Sequence, residues 1–133
     1  MSTTGYDTTW ESKGIAWQSR PWSAESGKTG RIVLSVWDNP EVAASEVRYV
    51  GGRDVLRCIP GQWVHESKGK KHLEHCGALL ASGEAAEVVF VRGERHAAVR
   101  SKVKRAWVDK DRYFVRITRV GPDGAIEGVF EGL

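Results

Sequence analysis

Residues 31–37, read as RIVLSVW, form a β-rich run that predicts a strand bounded by Gly30 and by the Asp38-Asn39-Pro40 punctuation. Asp38 or Asn39 is placed to cap a short helix, with Pro40 at its first position and Glu41 in its first turn. Two further β-rich runs, 47–50 and 54–59, flank Gly51-Gly52, a pair that suits the primed turn of a tight hairpin. From Lys71 to Ala81 the period changes. Leu73, Cys76, Leu79 and Leu80 share one helical face, and the helix should end near Gly83. The rest of the chain returns to strands: EVVFVR, HAAVRSKVKRAWV, RYFVRITRV and AIEGVF, joined at Gly93-Glu94, at 109–111 and at 122–124. Turns this short impose antiparallel neighbours, and so predict a C-terminal meander. The expected fold is α+β, a curved, barrel-like, mostly antiparallel sheet of about seven strands with one main helix.

At 133 residues, 41% hydrophobic and 28% charged, the chain has the length and composition of one soluble domain. The pattern assigns 1–14 to a loosely held polar segment and 15–133 to the domain. No run is long and apolar enough for a membrane helix, and no basic-then-apolar leader opens the sequence, so a cytoplasmic location is expected. The two cysteines, Cys58 and Cys76, make no disulfide framework and are expected as reduced thiols.

The net charge of +3 conceals an asymmetry. Between Arg92 and Arg119 ten Lys and Arg residues stand against three acids, so the remainder is net negative. Alternation over the second and third of the four C-terminal strands places Val99, Val103, Trp107, Tyr113, Val115 and Ile117 on a core side. Arg100, Lys102, Lys104, Phe114, Arg116 and Thr118 fall on the other. If 109–111 closes a hairpin, Lys104 faces Arg116, a like-charged pair that an external phosphate could offset. Arg105 lands on the core side and so calls for a bulge or a buried ion pair.

Six tryptophans accompany this charge. Trp37, Trp107 and Phe90 lie within strand patterns and belong to the core, whereas Trp10, Trp17, Trp22 and Trp63 lie outside them as candidate exposed aromatics. Rings beside cations are how unpaired or extruded bases are held, each base stacking while its phosphate takes the charge. Ser67-Lys68-Gly69-Lys70-Lys71 adds a basic loop ahead of a helix start, which suits phosphate. The expected function is nucleic-acid binding through Trp17, Arg20, Trp22, Trp63, Lys68, Lys70, Lys71, Arg100, Lys102, Lys104 and Arg116, with no cofactor.

Other chemistry has less support. His72, His75 and Cys76 have helical spacing for a shared cation, but no established metal motif is present, and the favoured pattern has Cys76 inward with His72, Glu74 and His75 partly exposed. A small ribonuclease-like hydrolase using His65 or His96, and a module that binds an acidic protein segment, are the alternatives.

Overall fold

The computed structural model describes residues 13, 23–37, 45–96 and 100–133, with the side chains of 37, 45–46 and 92–105 outside that description. Among these residues eight strands and one α-helix follow in order: β1 (Ser23–Glu25), β2 (Ile32–Trp37), β3 (Ser45–Val50), β4 (Arg53–Cys58), α1 (Ser67–Ser82), β5 (Ala85–His96), β6 (Arg100–Trp107), β7 (Phe114–Val120) and β8 (Ile126–Glu131). They make one α+β sheet ordered β1-β2-β5-β7-β8-β4-β3, with β6 attached to β5. The sheet is mixed, mostly antiparallel and not closed. The short helix expected after Pro40 lies outside the described residues.

The Gly51-Gly52 hairpin forms as expected. Val50 faces Arg53 across a two-residue turn whose glycines have φ of 59° and 88°, the sign a primed turn requires. The turn at 122–124 also holds, closed by the Gly121 N–H on the Ala125 carbonyl at 2.8 Å and by Gly124 at φ 97°. β7 then pairs antiparallel with β8, and β8 with β4.

Two of the expected turns are corrected. Gly93-Glu94 does not end a strand: β5 runs through it to His96, and the register shifts between Arg92 and Gly93. Glycine at this position marks a bulge rather than a turn. Nor does 109–111 close a hairpin. β6 pairs with β5 from Phe90↔Trp107 to His96↔Arg100, and β7 pairs with the same side of β5 from Glu87↔Phe114 to Ala85↔Arg116. The Val88 N–H reaches the Tyr113 carbonyl at 3.0 Å between these two stretches. β6 and β7 are thus two lengths of a single run along β5, interrupted where 108–113 loops out around a 3-10 turn, Lys110–Arg112, capped by Asp109.

β2 and β5 pair in parallel, Val33↔Glu87 to Trp37↔Val91, which the sequence pattern did not suggest. Strands in such pairs are covered on both faces, so their apolar residues run on without alternation. Leu34, Val36, Val88 and Phe90 join the main core with Trp107, Val115, Ile117 and the helix residues Cys76 and Leu79. Val33, Val89, Val91 and Ala106 make a second cluster on the opposite face. Among residues 1–22 the one described is Lys13. It is buried, its ammonium 2.8 Å from Glu87 Oε1 and 2.8 Å from the Tyr113 hydroxyl.

α1 begins four residues before the helix expected from the pattern, with Glu66 as N-cap and Gly83, at φ 74°, as C-cap. It buries His72, Cys76 and Leu79, and it packs on β7. No helix among the described residues is long and apolar enough to cross a membrane.

Candidate nucleic-acid interface

Beyond Val91, β5 has β6 as its sole strand partner among the described residues, and β6 has β5. Residues 92–96 and 100–105 are therefore a two-stranded ribbon rather than part of a wider sheet among the described residues. Arg92, Arg95, Arg100, Lys102, Lys104 and Arg105 stand on it against the single acid Glu94. Register sets Arg92 opposite Arg105 and His96 opposite Arg100, while Glu94 faces Lys102. Opposed like charges weaken a ribbon, and an isolated two-stranded ribbon is already marginal. The bulge expected near Arg105 is present, since Arg92 pairs with Arg105 but Gly93 pairs with Val103, leaving Lys104 as the extra residue.

The like-charged pair expected between Lys104 and Arg116 does not exist. Arg116 lies opposite Ala85 on β5, whereas Lys102 lies opposite Glu94, nine residues further along the same strand, about 30 Å at 3.3 Å per residue. Arg116 is also met by the chain's own groups. Its Nε donates to Glu131 at 3.1 Å and its Nη1 to the Gly83 carbonyl at the end of α1. Arg119 lies 3.7 Å from Glu127, and Arg112 holds Asp109 at 2.8 Å and Asp54 at 3.4 Å. Burial would raise the Asp109 carboxyl, but the Arg112 hydrogen bonds more than offset it and hold the group below its ordinary range. The basic segment accordingly divides in two: the arginines of 112–119 are matched internally, and those of 92–105 share their ribbon with one acid.

An open depression of about 620 Å³ beside β7 shows the same matching, being lined by Arg31 and Arg116 but also by Glu84 and Glu131. Its aromatic, Phe114, is already covered by the Arg31 guanidinium 5.3 Å from the ring centre.

The lysines at 68, 70 and 71 are not on a loop. They occupy the first turns of α1, just after the N-cap Glu66, whose side chain makes no capping hydrogen bond. Lys68 and Lys71 are exposed there. The turn before the helix is tied to the β7–β8 turn through the Gly61 N–H on the Asp123 carbonyl at 3.3 Å, at the opposite end of β5 from the ribbon. Trp63, expected as an exposed loop aromatic, is half-buried against the main core. Its indole N–H donates to the Ile59 carbonyl at 2.7 Å, and its ring lies 5.8 Å from that of His72. Packing and a satisfied N–H explain this tryptophan without a ligand. Trp17, Arg20 and Trp22 lie outside the described residues. The ribbon thus gathers Arg100, Lys102 and Lys104, but not Lys68, Lys70, Lys71, Trp63 or Arg116.

Two buried polar clusters lie elsewhere. His72 points inward rather than partly outward, with its Nε2 3.9 Å from both the Cys58 and Cys76 sulfurs. Burial, with His75 nearby, lowers its pKa to about 4, and burial pushes the Cys76 thiol up to about 12. Both groups are therefore neutral at pH 7, and among the described residues no group of three such side chains is placed to hold a metal ion. His75 takes a 2.6 Å hydrogen bond with the Ser23 hydroxyl, tying β1 to α1. On the other face Glu87 accepts from Lys13, from Tyr113 at 3.0 Å and from Thr29 at 3.1 Å, which together outweigh burial and keep it ionised. His65 is exposed, and the side chain of His96 is not described.

No family profile matches this sequence, and no curated protein or solved structure is similar enough to it to count as a match. The reading of the interface therefore rests on its own geometry. Arg92, Arg95 and Arg105 belong to it and were not among the expected binding residues. Taking Gly93 as a bulge within one long strand would have found them, since Arg92 and Arg95 then face the next strand instead of flanking a turn.

Proposed function

We propose that this protein binds nucleic acid, and that the β5–β6 ribbon is the surface that meets the phosphates. One observation supports the reading above the others: six cations and one acid stand on a two-stranded ribbon with like charges directly opposed, while the β7 arginines already have internal partners. A polyanion supplies the counter-charge that the ribbon itself lacks. Trp17 and Trp22, with Arg20, are proposed on sequence alone as partners for bases, a role that Trp63 is too engaged in packing to share.

Titration of the protein's own tryptophan fluorescence with nucleic acid at two salt concentrations tests this. Binding should weaken steeply with salt, and an Arg92→Gln, Lys102→Gln, Arg105→Gln variant should lower that slope by roughly one for each phosphate no longer neutralised. An affinity that the triple variant leaves unchanged removes the ribbon from the site. Binding of an acidic peptide with a shallow salt slope, and none of nucleic acid, would favour the interaction-module alternative, since only a polyelectrolyte releases condensed counterions.

A further inference from the structure

We infer that the ligand of the ribbon is double-stranded DNA, entered through its major groove. This rests on the nucleic-acid reading above and narrows it to one class of ligand. The first ground is shape. The B-form major groove, about 12 Å wide, admits a two-stranded β-ribbon, whereas the A-form major groove of double-stranded RNA is too narrow and deep for side chains to read. Arg92↔Arg105 to His96↔Arg100 spans five positions of β5, about 13 Å at strand spacing, which matches about four base steps of about 3.4 Å.

The second ground is where the charges stand. Cations occupy both strands, Arg92 and Arg95 on β5 and Arg100, Lys102, Lys104 and Arg105 on β6. A ribbon seated in a groove has a phosphate wall along each side, and this arrangement offers charge to both. A single strand would present one row of phosphates and so meet the cations of only one strand of the ribbon.

The third ground is composition. Between Arg92 and Arg105 there is no Trp, Tyr or Phe. Surfaces that hold unpaired strands stack bases on aromatic rings, and this ribbon has none to offer. Its lone acid, Glu94, sits at the middle of the register opposite Lys102. A carboxylate is repelled by phosphate but can accept from the cytosine amino group at a base edge, and arginine suits the two acceptors of guanine.

Fluorescence anisotropy with the full chain separates the possibilities, using one sequence of about twenty residues as DNA duplex, RNA duplex and single-stranded DNA. Duplex DNA should bind at least tenfold more tightly than the other two, roughly a 1.4 kcal/mol preference. In the same complex guanine N7, a major-groove atom, should be protected from dimethyl sulfate. Equal or tighter binding of the single strand or the RNA duplex overturns the inference while leaving nucleic-acid binding intact. Duplex binding without N7 protection overturns the groove assignment. Failure to bind any of the three overturns the proposed function itself. None of these arms depends on a variant folding.

Discussion

Gly69 shows how a residue that reads as flexible can be held by its surroundings. Flanked by Lys68 and Lys70, it has the sequence context of a loop glycine, yet it is buried in the first turn of α1, and a Cβ there would run into the Trp63 carbonyl. Gly77, later in the same helix, has open space at its Cβ position. Glycine in a helix interior ordinarily costs about 0.5–1 kcal/mol against alanine. Gly77→Ala should therefore stabilise by about that amount, while Gly69→Ala should destabilise by about 1–3 kcal/mol through overpacking, a reversal of sign that urea melts will display. His72 makes a second residue-scale prediction. Its pKa falls from 6.5 to about 4 on folding, so the unfolded chain takes up the proton first as pH drops. The contribution is complete above pH 6.5 and is lost progressively from there down to about pH 4, on the order of 3 kcal/mol in all. His75, also lowered but only half-buried, adds a smaller effect of the same sign. Glu87 and Asp109, held below their ordinary values, act at lower pH, as their carboxyls begin to protonate. Thermal melts from about pH 7.5 to 4.5 should show the loss, and a His72→Gln variant should flatten it; an unchanged pH slope in that variant would assign the effect to other groups.

At the scale of elements, the sequence disclosed those whose signals are local. The Gly51-Gly52 hairpin, the 122–124 turn, the Ile32–Trp37 strand and the Gly83 end of α1 each carry their own punctuation, and each is where the pattern placed it. Pairing partners are another matter. Asp109, Lys110 and Asp111 have the composition of a hairpin turn, but they close a 3-10 turn that lets the chain resume the same direction along β5. Distinguishing the two requires knowing what lies beside β5, and that is long-range information. The parallel β2–β5 pair left a trace in the unbroken Val88–Val91 run, buried on both faces, although a run of this length also fits a strand within an antiparallel core. The candidate site suffered in the same way. Its cations were visible as a charged block, but the matching of the β7 arginines depends on acids at Glu127 and Glu131 reached only through the fold. The ribbon's own register yields a prediction: Arg105→Gln should leave stability unchanged or raise it by up to about 1 kcal/mol, by relieving Arg92 directly opposite. A clear destabilisation in chemical denaturation would mean that an internal acid already serves Arg105.

On the scale of the molecule, strand pairing among the described residues falls off along the axis of β5. Its residues from Ala86 to Val91 are almost fully buried between two clusters and flanked by strands on both sides, whereas Arg92 to His96 have β6 alone among the described strands. Amide hydrogen exchange should follow that gradient, slowest at Val33, Val89 and Val91 and fastest in the ribbon, with added DNA slowing the ribbon while leaving the centre unchanged. Uniform protection along β5 would contradict the isolation of the ribbon. The continuity of β5 also has a mechanical consequence. A partner that drags on the ribbon pulls along the axis of the strand most deeply seated in the sheet. Its hydrogen bonds to β2 and β7 lie across that axis, so they bear the load together in shear instead of giving way in succession as in peeling. A protein bound to a moving or bending polymer would in this way yield first at its grip on the polymer, with its own core still intact.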